Sequence, residues 1–518
     1  MRRQAGVVLP IFSLRTRRDW GIGQITDLPA CADFVLRSGH RLLQILPPHE
    51  LSTGETSPYG ALTAFGIDSI YADVEAIEDL DSAAIADALG EQGRAALARA
   101  RASDRVDYGI VREIKNRVLA RAFARFVEAH WVPQTPRAAR LAAFVERERA
   151  WLHDLGLYCA LREAHGGWGW ETWPEGERRR LPAPLEDARR RHERRILEVA
   201  YVQWTLLEQW DEARARMREA GVELMGDLPF IVCDESADVW SHATEFDRQV
   251  VLGAPPDDFS ADGQDWGLPA YAWAEMDKND LAWLRARARH AARLYDRFRL
   301  DHVVGYFRQW VRPREAPGRG RFDPAGEADQ FARGLRVLGV MIEELTGPGC
   351  VDPPRAIAED LGVIPWFVRG ALGELAMPGY RVLPWERDGE RYRDPRAFPR
   401  LSVASWSTHD TAPIDAWWDE FSEGDRAQLA SRAGFDGAAD GAERSLALLR
   451  DLYGARSDLV LVLGQELLGA RDRLNKPATV GGQNWTWRLP RPIEDLAADR
   501  DVVARLDAIR RAVEASGR

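Results

Sequence analysis

The sequence predicts an α/β fold, a closed (β/α)8 TIM barrel with helical insertions, and three observations carry that expectation. From about residue 222 onward, short apolar strands alternate with amphipathic helices, the pattern of a parallel sheet. More than six such strands follow in one continuous stretch, which suits a closed barrel better than two open sheets. Between about 75 and 217 the composition shifts to Ala, Arg, Glu and Leu, a helical insertion subdomain within the barrel. A single catalytic barrel over 1–518 accommodates all three.

Taken in order, the first 75 residues read as strand and turn. HRLLQILP (40–47) is the first strand, ending in prolines and leading into LSTGETSPYGALTAFG, whose Gly, Ser, Thr and Pro mark a loop. The helical block follows that strand; RVLARAFARFVEAHW and RRHERRILEVAYVQWTLLEQWDEARARMREAG have the solvated arginine faces of amphipathic helices. VELMGDLPFIV is a strand, a Gly/Pro/Asp loop runs from 253 to 270, a helix spans roughly 279–296, and the next strand ends at Asp301. VRPREAPGRGRFDPAG reads as a loop. DQFARGLRVLGVMIEELTG places Phe331, Leu335, Leu338, Ile342 and Leu345 at helical spacing. RAIAEDLG, YRVLPW, LSVASWSTHD and DLVLVLGQ are strands, with PWFVRGALGELA a helix between the first two.

The totals exclude several classes. A net charge of -11 with acids interleaved throughout argues against a nucleic-acid or anionic-membrane binder. No apolar run approaches the roughly 18 residues of a membrane span, and the basic start, broken at Pro10, is no persuasive signal peptide. Cys31, Cys159, Cys233 and Cys350 lie far apart without metal-like spacing, so reduced thiols and a cytoplasmic protein are expected. GWGWET lacks the third glycine of a dinucleotide loop, and no phosphate loop, nucleophile elbow or H-E-x-x-H pair occurs. No cofactor and no metal are expected. The 20 tryptophans serve a core or a sugar-stacking platform, and composition does not separate the two.

Catalytic residues of an α/β barrel sit at the C-terminal ends of its strands. That filter selects five acids at four strand ends: Asp227, Asp301, Glu359, Asp360 and Asp410, with Arg299 and His409 beside them. Singly, each is as readily a cap or loop acid, and FRLDH on its own reads equally as a buried structural ion pair. Together they are costly, because clustered like charges raise one another's pKa. Two-carboxylate chemistry on a glycosidic bond leads. Arg299 and Asp301, two apart on a strand, share a face, so the guanidinium keeps Asp301 ionised as nucleophile. Glu359, beside Ile357 and Leu361, is placed for desolvation to raise its pKa, as a proton donor needs. Asp410 is a third acid to grip sugar hydroxyls and favour an oxocarbenium-like state.

WGIGQITDL, TSPYGALTAFG, MGDLPFIVCDESADVW, GAPPDDFSADGQDWGLPAYAW, FRLDHVVGYFRQW, IAEDLG, STHDT and GGQNWTWRLP occur in that order. With these motifs the chain closely resembles the amylomaltase family, the 4-α-glucanotransferases of the α-amylase clan. The resemblance implies a (β/α)8 barrel, no obligatory cofactor, and malto-oligosaccharides or starch- or glycogen-derived glucans as partners. It assigns Asp301 as nucleophile, Glu359 as acid/base and Asp410 as transition-state stabiliser. It further implies Tyr59, Asp227, Gln264, Trp266, Arg299, His409 and Asn475 as glucan contacts. Two places depart from the family pattern: Val303 and Val304 stand where an aromatic and an arginine are usual, and Thr411, followed by Ala412, where asparagine is usual. The competing readings are a hydrolase of the same clan and a non-catalytic glucan-binding protein. The length and aromatic content of PPDDFSADGQDWGLP favour a sugar acceptor over water.

Overall fold

The computed structural model describes residues 3–518 except 53, 257–262, 316–319, 347–354, 437–438, 478 and 480. Eight parallel strands close into a barrel: β1 (Gln4–Val8), β2 (Leu42–Gln44), β3 (Glu223–Leu228), β4 (Arg297–Leu300), β5 (Ala356–Ala358), β6 (Gly379–Val382), β7 (Ser402–Ser405) and β8 (Leu459–Leu463). Each pairs with its neighbours in sequence, and β1 pairs β8 in parallel to complete the ring. This is the expected (β/α)8 TIM barrel.

Alternation along the strands builds two apolar layers. Val8, Leu42, Met225, Ile357, Val403, Leu459, Leu461 and Leu463 fill the barrel interior as one cluster. Their neighbours, such as Val7, Leu43, Leu224, Phe298, Leu300, Val460 and Val462, face outward and pack under the helices. In β4 this places Phe298 and Leu300 outside, and the residues between and after them inside.

The first strand of the barrel was not in the sequence reading. AGVV before Pro10 is too short a run to stand out, yet Gly6 pairs both Leu461 and Leu42. The helical segment therefore lies between the second and third strands, not after the first. It runs from Ser82–Ala102 and Tyr108–Phe126, through shorter helices, to the 27-residue helix Glu193–Glu219. Asp81 and Asp107 start the first two by accepting the Ala84 and Ile110 N–H groups at 2.7 and 3.0 Å. The long helix buries Val199, Trp204, Leu207, Trp210 and Met217 at helical spacing and exposes Arg194, Arg216 and Arg218, while Arg214 is buried.

Two stretches read as loops carry strands. Arg321–Asp323, Gln309–Pro313, Val250–Ala254 and Gln264–Asp265 form an antiparallel four-stranded sheet beside the barrel. Their Gly, Pro and Arg content hides strands only two to five residues long. The middle of PPDDFSADGQDWGLP, 257–262, lies outside the described residues. In Glu327–Thr346 the buried line runs through Gly334, Leu338, Met341 and Leu345, with Phe331, Leu335 and Ile342 half-buried at its edge.

Among the described residues no helix is long and apolar enough to cross a membrane. Cys31 is buried, Cys159 and Cys233 are half-buried, and all three are free thiols. Cys350 lies outside the described residues.

Candidate active site

Register assembles the site. In the β3–β4 pairing Asp227 stands opposite Arg299, and in β4–β5 Ala358 stands opposite Leu300. One step further along these strands come Asp301 and Glu359. The Asp301 N–H donates to the Leu228 carbonyl and the Glu359 N–H to the Leu300 carbonyl, both at 3.0 Å, so both acids leave the barrel in extended register.

Arg299 Nη1 lies 2.8 Å from Asp301 Oδ1, and 2.7 and 2.9 Å from the two oxygens of Asp227. One nitrogen thus bridges two carboxylates. Burial pushes the Asp227 carboxyl up against the opposing pull of Arg299. The Asp227 carboxylate also accepts the Tyr59 hydroxyl at 2.9 Å, and that oxygen is 2.9 Å from His409 Nε2. Tyr59 stacks on His409, with the Trp485 ring tilted against it at 5.8 Å.

Glu359 is held by backbone. Oε2 accepts the His302 N–H and Oε1 the Leu361 N–H, each at 2.9 Å. His302 adopts φ 45°, a left-handed conformation uncommon outside glycine, and that turn directly after Asp301 aims its amide at Glu359. The Val303 N–H then donates to the Glu359 carbonyl at 3.1 Å, so the first departure from the family pattern is tied to the acid by a backbone bond. Burial pushes the Glu359 carboxyl up to about 7, despite the pull of Arg299.

Asp410 follows β7 on a tight turn. The Thr411 hydroxyl accepts the Thr408 N–H at 2.9 Å and donates to the Thr408 carbonyl at 3.2 Å, so the second departure is a turn-closing residue. Asn475 Nδ2 donates to Asp410 Oδ1 at 2.7 Å, and His409 Nε2 lies 3.2 Å from Oδ2. Burial opposes ionisation here, but His409 and Asn475 outweigh it and hold Asp410 well below the usual carboxylate range. Burial opposes the charged form of His409 as well, but Asp410 outweighs it and raises the imidazole.

Asp301, Glu359 and Asp410 line one cavity of about 210 Å³ at the C-terminal mouth of the barrel, with Arg299 and His409. A larger cleft of about 420 Å³ against the helix Ala282–Leu294 contains none of the three.

Of the ten site residues expected from the sequence, Tyr59, Asp227, Arg299, Asp301, His409, Asp410 and Asn475 are bonded to one another, and Glu359 lines the same cavity. Gln264 and Trp266 sit at its edge. Gln264 is exposed and accepts the Trp266 indole N–H at 3.1 Å, while the Trp266 ring lies 4.9 Å from that of His302. Asp360, counted among the rim acids, points elsewhere. It accepts the Tyr380 N–H at 2.6 Å and lies 3.3 and 3.4 Å from Arg369 and Arg381. A Cβ on Gly379 would come within 2.6 Å of its carboxylate oxygens. Consecutive residues at a strand end take opposite sides, so Glu359 in the cavity sends Asp360 to the β6 side.

The sequence reading missed Gln44, Tyr380 and Trp385, which line the cavity, and Arg473, which donates to the Asp410 carbonyl at 2.9 Å. LPW following a strand was the available signal for Trp385, which is 53% exposed and edge-on to Trp417 at 6.0 Å. Among the described residues no group of three or more His, Cys, Asp or Glu is placed to hold a metal ion.

Comparison with known proteins places the chain in a family. The family model described as 4-alpha-glucanotransferase matches residues 9–494. The chain is 30% identical over 522 residues to a 4-alpha-glucanotransferase of Aquifex aeolicus, covering 97% of this chain and 98% of that one. It is 28% identical over 509 residues to one of Chlamydia pneumoniae, covering 95% and 92%. Among solved structures it is similar to an amylomaltase from Streptococcus agalactiae in complex with acarbose, with a TM-score of 0.81, 26% identity and 98% of each chain covered. The chain belongs to the 4-alpha-glucanotransferase family.

Proposed function

We propose that this 4-alpha-glucanotransferase moves α-1,4-glucan segments from a donor malto-oligosaccharide to an acceptor sugar by a retaining double displacement. Asp301 attacks the anomeric carbon and forms a covalent glycosyl-enzyme as the glycosidic bond breaks. Glu359 gives its proton to the leaving oxygen, then takes one from the acceptor hydroxyl as the second step returns the sugar to an oxygen. Asp410, kept anionic, stabilises the positive charge that develops on the sugar ring. Tyr59, Asp227, Arg299, His409 and Asn475 surround these acids as glucan contacts, with Gln264 and Trp266 at the cleft edge.

The observation that carries this reading is the contrast among three acids in one cavity. Asp301 is paired with a guanidinium, Glu359 is pushed up to about 7, and Asp410 is held low. Acids whose surroundings drive them apart are suited to opposite roles in one reaction. Glucans derived from starch or glycogen as substrates, and a cytoplasmic location, belong to the same reading. The acidic balance and the free, dispersed thiols support it.

The test is incubation with maltotriose and separation of the products. Transfer yields free glucose together with oligomers longer than the starting sugar. Glucose and maltose alone, with nothing longer even at high substrate, make the protein a hydrolase.

A further inference from the structure

Glu466 lies in the short helix Gly464–Leu468 directly after β8, is 2% exposed, and does not line the cavity. Its Oε1 accepts the Ser407 hydroxyl at 2.7 Å and the Ile414 N–H at 3.3 Å, and its Oε2 accepts the Leu463 N–H at 2.9 Å. All three donors are neutral. Burying a carboxylate without a cation at its oxygens is costly, and burial pushes Glu466 up to about 7. Asp415 adds to that push, and the nearby Arg505 donates to the Glu466 backbone carbonyl at 2.8 Å rather than to its carboxylate. The Leu463 N–H bond caps the start of Glu466's own helix, and the other two bonds reach beyond it.

What the carboxylate holds gives it a role. Ser407 and Ile414 are the two ends of the loop that carries His409 and Asp410 at its apex. A single oxygen of Glu466 ties both ends together at the base, while Thr408 and Thr411 close the turn within it. From the far side, Arg473 and Asn475 of the same β8 segment fasten the Asp410 carbonyl and carboxylate. The acid is therefore clamped from below and above by residues that follow β8.

We propose that Glu466 is a positioning residue for Asp410, setting through the base of the 407–414 loop where that carboxylate stands relative to Asp301 and Glu359. The inference rests on the reading of Asp410 given above. Misplacement of a reacting group by a fraction of an ångström costs turnover far more than ground-state affinity.

A double-mutant cycle tests it, because a residue acting through Asp410 loses its effect once Asp410 is disabled. Turnover and KM on maltotriose are measured, per folded protein, for the wild type, Glu466→Gln, Asp410→Asn and the double variant. Glu466→Gln is expected to lower kcat about tenfold or more with KM changed less than about threefold, and to cost less than about twofold in the Asp410→Asn background. Ser407→Ala, which keeps the carboxylate and removes one of its ties to the loop, follows the same pattern with a smaller loss. It carries the cycle alone if Glu466→Gln does not fold. Equal losses in both backgrounds reduce Glu466 to a support of the fold and overturn the proposal, as does undiminished turnover in Glu466→Gln. Asp410→Asn with full turnover overturns both the reading of Asp410 and this inference, whereas loss of longer products in the wild type strikes the transfer reading alone.

Discussion

Arg299 does more than its place two residues before Asp301 announced. The strand alternation pairs it with Asp301, but its Nη1 also bridges Asp227, the residue opposite it in the neighbouring strand. Lysine does not replace it, because the ammonium ends one bond short of Nη1 and offers no planar group to fix the direction. Arg299→Lys is expected to fold and to lose tenfold or more of its turnover, roughly the effect of a displaced nucleophile, with a smaller change in KM. A lowered melting temperature with near-normal specific activity would make the cluster a structural ion pair instead. Asp360 shows the limit of reading single residues. An acid at a strand end is visible in the sequence, but the side it takes is not, unless its neighbour is already assigned; once Glu359 faces the cavity, alternation turns Asp360 away.

Strand ends act as units in this site. The left-handed turn at His302 after β4 and the turn after β5 together present two N–H groups to Glu359, and the β7 and β8 segments do the same service for Asp410. Those amides favour the ionised Glu359, yet burial exceeds them and the carboxyl rises from 4.5 to about 7. The protonated acid is the working form for cleaving a sugar leaving group. On the alkaline side, kcat/KM for maltotriose is therefore expected to fall as pH rises through about 7, about tenfold per unit beyond. A pH profile of kcat/KM checks this, and activity that rises steadily above pH 7 contradicts the assignment of Glu359 as acid. Elements were legible where they are long and periodic, as in Glu193–Glu219, and less so where they are short. Gln4–Val8 and the side-sheet strands, five residues or fewer, stand only through their partners, which no local pattern reveals.

The whole barrel accomplishes what no segment does alone. Tyr59, Asp227, Asp301, Glu359, Asp410 and Asn475 are spread along most of the chain, and closure of eight strands in sequential order brings them to one mouth. That architecture was legible because repeated strand–helix alternation constrains topology, and because barrel enzymes place their chemistry at the C-terminal ends of strands. Partners within the cluster were not legible, since hydrogen bonds such as Tyr59 to Asp227 depend on where long loops return. The central claim is a covalent intermediate on Asp301, and one measurement reaches it directly. Glu359→Gln is mixed with α-maltotriosyl fluoride, whose leaving group needs no proton, and the protein is digested and analysed by mass spectrometry. The account predicts a maltotriosyl adduct on the peptide containing Asp301, localised to that side chain. An adduct on Asp227 or Asp410, or released fluoride with no adduct at any time point, would contradict it.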